Sequence, residues 1–248
     1  MEKASGKVAV VTGASRGIGA AIAEAFCKAG MCVVGISRVN EVKHAHLWLR
    51  CDVSEMTQVT AAMGEVAGKI GRVDVLVNCA GIAEYAALQD TSDELWHRTI
   101  AVNLTGTFLT MRAVLPLMLN QGNGRVINVA SLAGRRGEPQ MAAYAASKHG
   151  ILGLTRSAAL QVAKTGITVN AICPGAVATD MLNEGLNGWS AQTGRPIEVG
   201  RKIFQSANPQ NRFLEADEVA QCAAFLVSDA ARGINGQAIS LCGGAVTV

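Results

Sequence analysis

The sequence predicts an α/β protein, a doubly wound parallel sheet with helices on both faces. Three observations predict it. Short Val- and Ile-rich runs alternate with longer stretches of helical periodicity along the 248 residues. The strand-like runs are apolar at successive positions, as in Val8-Ala9-Val10-Val11, which is how strands buried on both faces read. A glycine-rich turn follows the first run and opens the first helical stretch.

Taken in order, Lys7–Thr12 reads as the first strand and Gly17–Ala29 as a helix stopped by Gly30. Cys32–Ser37 and Leu47–Cys51 are the second and third strands. The chain between Arg38 and Leu47 is too short for an ordinary helix, so that crossover is expected to be a loop. Met56–Ile70 is helical, Val73–Asn78 is the fourth strand, and Ser92–Met118 is one long helical pattern. Arg125–Ala130 is the fifth strand, Ala142–Ala163 a helix and Ile167–Cys173 the sixth strand. Glu215–Ser228 is a helix that opens with acidic residues, as the helix dipole favours. Ala238–Leu241 is a last short strand. From Thr179 to Arg212 the chain is polar, yet it carries Met181, Leu182, Leu186, Trp189, Ile203 and Phe204. A connection of that length is usually functional, and a substrate lid at about residues 179–212 is expected. With no repeat and no linker, residues 1–248 read as one domain.

Composition narrows the function. Half the residues are hydrophobic and 17% are charged, which suits a full core and argues against disorder. The net charge is +3 with scattered basic residues, so nucleic acid is a poor partner. The seven cysteines are odd in number and none is spaced C-x-x-C, which fits free thiols in a reducing compartment. No Cys/His cluster has zinc-ligand spacing, so no metal is expected. The N-terminus lacks a signal-peptide core, and no uninterrupted apolar run approaches about 18 residues. A cytoplasmic protein without membrane contact is the expectation.

Two patterns carry chemistry. The turn Thr12-Gly13-Ala14-Ser15-Arg16-Gly17-Ile18-Gly19 stands where a strand enters a helix, where bare backbone and free N–H groups can meet a pyrophosphate. The second strand ends Gly35-Ile36-Ser37-Arg38 with no acid at its tip. Arg38 and Arg16 together favour a 2′-phosphate, hence NADP(H) over NAD(H), with Glu41 as the alternative ribose ligand. The second pattern is Tyr144 four residues before Lys148, one helical turn apart, with Ser131 upstream. A cation beside a phenol is expected to bring its pKa down toward working pH.

The ordered motifs are Thr12-Gly13-x-x-x-Gly17-Ile18-Gly19, Asp52-Val53, Asn78-Cys79-Ala80-Gly81, Asn103, Ser131, Tyr144-x-x-x-Lys148 and Pro174-Gly175 followed by Thr179. As a set they resemble the short-chain dehydrogenase/reductase family in its compact form, over essentially the whole chain. The resemblance implies a Rossmann-like sheet of seven strands in the order 3-2-1-4-5-6-7, a ketone/alcohol oxidoreductase and a homotetramer. It implies that Ser131, Tyr144, Lys148 and Asn103 are catalytic, Asn103 keeping a water at Lys148. It implies a cofactor site at Gly13, Ser15, Arg16, Gly17, Ile18, Gly19, Ser37, Arg38, Asp52, Val53, Asn78, Ala80, Gly81, Tyr144, Lys148, Pro174, Gly175, Val177 and Thr179. Cys79 departs from the family's usual second Asn, and the shortened segment after Arg38 lacks most of a family helix.

The substrate is expected to meet Ala83, Ala133, Met141, Leu182, Leu186 and Trp189, an apolar set that suits a fairly bulky apolar or aromatic small molecule. Three alternatives stay open. They are a carrier-bound 3-oxoacyl or polyketide ketoreductase, an NAD-dependent 3-hydroxy acid dehydrogenase, and a cofactor-binding sensor without turnover.

Overall fold

In the computed structural model, which describes residues 6–39 and 41–247, every strand joins one sheet. The strands are β1 (Val8–Thr12), β2 (Cys32–Ser37), β3 (Leu47–Arg50), β4 (Val75–Asn78), β5 (Gly124–Val129), β6 (Ile167–Pro174) and β7 (Ala238–Leu241). Their order is β3-β2-β1-β4-β5-β6-β7 and every pairing is parallel, as expected. The N-terminal stretch read as lacking a signal-peptide core lies largely outside the described residues.

Alternation along β1 builds two cores. Val8 and Val10 pack into the layer of α2 (Met56–Lys69) and α4 (Gly106–Gln121), with Val66 and Met118. Ala9 and Val11 point the other way, toward α1 (Gly17–Lys28) and α8 (Ala216–Leu226), with Phe26 and Ala223. A period of two thus divides a continuous apolar run between two faces, and all five β1 residues are buried.

Two segments differ from the sequence reading. The helical pattern over 92–118 is α3 (Asp93–Ile100), a five-residue π turn at Ala101–Thr105, and α4. The Ser92 hydroxyl accepts from Leu95 N at 3.1 Å and caps α3. The wider ladder of the π turn is supported by a side chain: Thr107 Oγ1 donates to the Asn103 carbonyl at 2.7 Å. The Asp93–Gln121 stretch is long and apolar enough to cross a membrane by length and composition, but α4 packs against α2, β4 and β5.

The polar segment after Thr179 is mostly helical, with α6 (Asp180–Thr193) and α7 (Ile197–Ser206). Gly194 stops α6 in the left-handed region, at φ 67°, and Pro196 starts α7. These two signals were legible but outweighed by the polar composition.

The β2–β3 crossover is a loop, as expected. Val42 is 3% exposed and belongs to the core on the α1 side of the sheet. A Cβ on Gly35 would lie 2.7 Å from the Val42 side chain. Gly35→Ala is therefore expected to destabilise the fold by about 1–3 kcal/mol through overpacking. Gly64→Ala, on an exposed part of α2 with nothing within 4 Å, is expected to stabilise by about 0.5–1 kcal/mol. Urea unfolding of both variants checks the pair; equal effects would show that Val42 does not constrain β2.

Candidate active site

The strand order reverses between β1 and β4, and the space outside their C-terminal ends opens there. Thr12 Oγ1 accepts from the backbone N–H of both Cys79 and Ala80 at 3.1 Å, which draws the two strand ends together. A Cβ on Gly13 would stand 2.7 Å from Ala80 Cα, and one on Gly19 would stand 2.2 Å from the Gly13 carbonyl oxygen. The turn can therefore be made only by bare backbone. The start of α1 has no side-chain cap and no acidic residue in its first turn, so its free N–H groups and positive dipole remain for an anion.

A cleft of about 440 Å³ lies against this turn. Of the cofactor residues expected from sequence, Gly13 to Gly19, Ser37, Arg38, Asp52, Val53, Ala80, Gly81, Tyr144, Lys148 and Thr179 line it, Ala14 apart. Glu41 does not line it. Asn78 also does not: its side chain donates to Asn128 Oδ1 at 2.9 Å and accepts from Thr110 Oγ1 at 2.6 Å, tying β4, β5 and α4 together beneath the cleft. Pro174, Gly175 and Val177 line a second, adjoining pocket instead. Trp48 Nε1 donates to Ser37 Oγ at 2.8 Å, and Arg38 lies 3.7 Å from Asp52, which fixes the far end of the cleft. Bare glycine backbone, an uncapped helix start and a cleft that ends at two arginines fit a dinucleotide.

The second pocket, of about 220 Å³, shares Tyr144, Ile18, Ala130, Thr179 and Met181 with the first. Tyr144 therefore stands at the junction. It lies on α5 (Ala142–Gln161), one turn before Lys148, whose Nζ is 5.5 Å from the phenol ring centroid. Lys148 is 5% exposed and donates to the Val129 carbonyl at 2.9 Å. Ser131 caps the short turn Leu132–Gly134, its Oγ accepting from Ala133 N at 3.1 Å, and it also hydrogen-bonds the Tyr144 hydroxyl. The cap fixes where the Ser131 hydroxyl sits.

Asn103 is fully buried and braces this group. Its Oδ1 accepts from Ile82 N, and its Nδ2 donates to the Ile82 carbonyl and, at 3.0 Å, to Ser147 Oγ, beside Lys148. It does not line either pocket.

The electrostatics depart from expectation. Burial pushes the Tyr144 phenol up, with the Ser131 hydrogen bond pulling it down. The Lys148 ammonium, bonded to the Val129 carbonyl and 5.5 Å from the ring centroid, does not offset that burial. Burial also lowers Lys148 to about 8.

Of the expected substrate residues, Ala83, Ala133, Met141 and Leu182 line the second pocket. Leu186 and Trp189 do not. Leu186 is fully buried, and Trp189 packs on Gly200 and, edge-on at 6.4 Å, on Phe204, so both hold the lid together from inside. Sequence reading missed Tyr85 and Glu138, which complete the wall with Arg136 and with Phe204 of the lid. Tyr85 stacks on Phe204 with centroids 6.0 Å apart. The chain has two tyrosines, and both reach this pocket, a scarcity that could have drawn attention to Tyr85. Arg136 and Glu138 lie 3.6 Å apart. Among the described residues no group of His, Cys, Asp and Glu is placed to hold a metal ion.

Known proteins agree with this geometry. The family model for short chain dehydrogenase matches residues 7–188. The chain is 36% identical to a D-beta-hydroxybutyrate dehydrogenase of Rhizobium meliloti, covering 96% of this chain and 98% of that protein. It is 37% identical to a putative ketoacyl reductase of Streptomyces coelicolor, covering 96% of each. It superimposes on a crystal structure of an actinorhodin polyketide ketoreductase variant with NADPH at a TM-score of 0.93, with 36% identity over 99% of both chains. The chain belongs to the short-chain dehydrogenase family, NAD(P)-binding oxidoreductases that act on hydroxyl and keto groups.

Proposed function

We propose that this protein interconverts a fairly bulky, apolar or aromatic ketone and its secondary alcohol with NADP(H), as one domain over residues 1–248 with its substrate lid at about 179–212. The observation that carries this reading is the position of Tyr144, at the junction of both pockets, bonded to Ser131 and one turn from Lys148.

The bound nicotinamide supplies or accepts the hydride. Ser131 and Tyr144 place two hydroxyl donors where charge develops on the substrate oxygen, and Tyr144 exchanges the proton with it. An elevated phenol pKa keeps Tyr144 protonated, as a donor in reduction requires. Lys148 holds the nicotinamide ribose, one helical turn from the phenol. Asn103 keeps a water at Lys148. Its amide is already bonded to Ile82 and Ser147, so that contact falls to its main chain.

The substrate reading rests on the wall. Ala83, Ala133, Met141, Leu182, Tyr85 and Phe204 offer an apolar surface, and Arg136 and Glu138 largely neutralise each other. A small hydroxy acid would find no unshared cation there. The NADP(H) preference rests on Arg16 and Arg38 lining a cleft that Glu41 does not reach. A carrier-bound keto substrate is the second reading, supported by the likeness to polyketide ketoreductases and by Arg136 at the pocket.

Three outcomes are expected. In a ketone and alcohol panel followed by nicotinamide absorbance, bulky apolar pairs turn over faster than hydroxy acids, and faster with NADPH than with NADH. Tyr144→Phe lowers kcat in the same panel by about 10²- to 10⁴-fold while nucleotide still binds. Turnover confined to small hydroxy acids, or near-parental Tyr144→Phe activity, would sink the reading.

Lys148 gives a pH signature in cofactor-free protein. Its folded pKa of about 8 lies below its unfolded value, so its burial penalty is complete below pH 8. As pH rises further the folded protein sheds the proton before the unfolded chain does, and the penalty is relieved. The stability of the parent relative to Lys148→Met should therefore rise between pH 7 and 10, by on the order of 2 kcal/mol. A pH-independent difference in urea unfolding would show that Lys148 is not perturbed. Finally, Phe108 and Leu119 on α4 and Leu160 on α5 are exposed apolar side chains that a homotetramer would cover. Light scattering should give four times the chain mass, and a monomeric mass would refute this.

A further inference from the structure

One side chain belongs at once to the nucleotide turn and to the lid. Arg16, between the glycines, sends Nη1 to Glu184 Oε1 at 2.6 Å and lies 3.8 Å from Asp180 Oδ2. Asp180 and Glu184 are one turn apart on α6, so both face the turn. The two segments also lie close at Gly17, where an added Cβ would stand 3.4 Å from Thr179 Cγ2. The helix that Arg16 grips also carries Leu182 and Gly185, which line the substrate pocket.

The pair is accessible, with Arg16 54% and Glu184 56% exposed. An exposed pair of this kind is worth about 0–1 kcal/mol. A phosphate dianion offers the same guanidinium more charge than a carboxylate, so it is the stronger ligand. Arg16 also lines the dinucleotide cleft, as Arg38 at the tip of β2 does.

We propose that Glu184 is a positioning residue for the cofactor: it competes with the 2′-phosphate of NADP(H) for Arg16, and gives Arg16 up when that phosphate binds. The ion pair then tunes the choice between NADP(H) and NAD(H), and the 2′-phosphate, which NAD(H) lacks, unfastens α6 from the nucleotide turn. This rests on the NADP(H) reading given above.

The test is calorimetric binding of NADPH and NADH to the full-length parent, Glu184→Gln, Arg16→Gln and the double variant, without substrate. Glu184→Gln should tighten NADPH by about twofold to fivefold, the upper range of an exposed pair, and leave NADH unchanged. In the Arg16→Gln background, Glu184→Gln should have no effect. In the parent, NADPH but not NADH should speed amide hydrogen exchange in α6. If Glu184→Gln leaves NADPH affinity unchanged, or shifts both nucleotides alike, the competition is overturned, even where Arg16→Gln removes the NADPH preference. If the parent binds NADPH no more tightly than NADH, the cofactor reading itself fails.

Discussion

The rest of the structure depends on how closely the C-terminal ends of β1 and β4 approach each other. Thr12 takes hydrogen bonds from two successive amides of the chain leaving β4, and Gly13 meets Ala80 with no room for a side chain. That contact does three things. It holds the glycine turn flat against the strand ends, it leaves the α1 amides free, and it sets the floor on which Gly81 and Lys148 meet. Parallel strands can open such a crevice because their connections leave in opposite directions from neighbouring ends.

The second support is a buried polar chain rather than an apolar one. Asn103 joins the Ile82 turn to Ser147 on α5, and Asn128 joins Asn78 to Thr155 on the same helix. Buried amides of this kind are costly unless satisfied, and here each has partners. Their directionality holds α5 in one rotation, so that Tyr144 faces the pocket junction and Lys148 the strand end. The π turn at Ala101–Thr105 belongs to this arrangement, since it lets Asn103 face Ile82 while α4 continues along the sheet.

Much of the candidate site was legible because its residues are bound to local backbone requirements. Gly13 and Gly19 stand where no other residue fits, and Tyr144 and Lys148 stand one turn apart on a helix whose pattern was plain. The lid was legible as a place but not as a structure. α6 and α7 draw their order from Trp189, Phe204 and Tyr85, which are distant in sequence and meet only in the fold. Leu186 and Trp189 had the composition of a substrate wall, and only packing shows that they face inward. The direction of the Tyr144 shift was likewise illegible. Spacing brings the two groups onto one helix face, whereas burial and the Val129 carbonyl decide what each group does to the other.

By itself the sequence determined the run of strands, the parallel sheet, the nucleotide turn and the Tyr144–Lys148 pair, each written in short-range pattern: periodicity, glycine spacing, or one helical turn. The strand order and the role of Ser131 came from the resemblance to the family, carried by the ordered motifs as a set. Tertiary structure alone decided which side chains line the substrate pocket, that Arg16 reaches Glu184 across 168 residues of sequence, and that burial governs the ionisation of Tyr144 and Lys148. The physical reason is the same in each case. Burial and long-range contact depend on what the rest of the chain places nearby, and no local pattern carries that information.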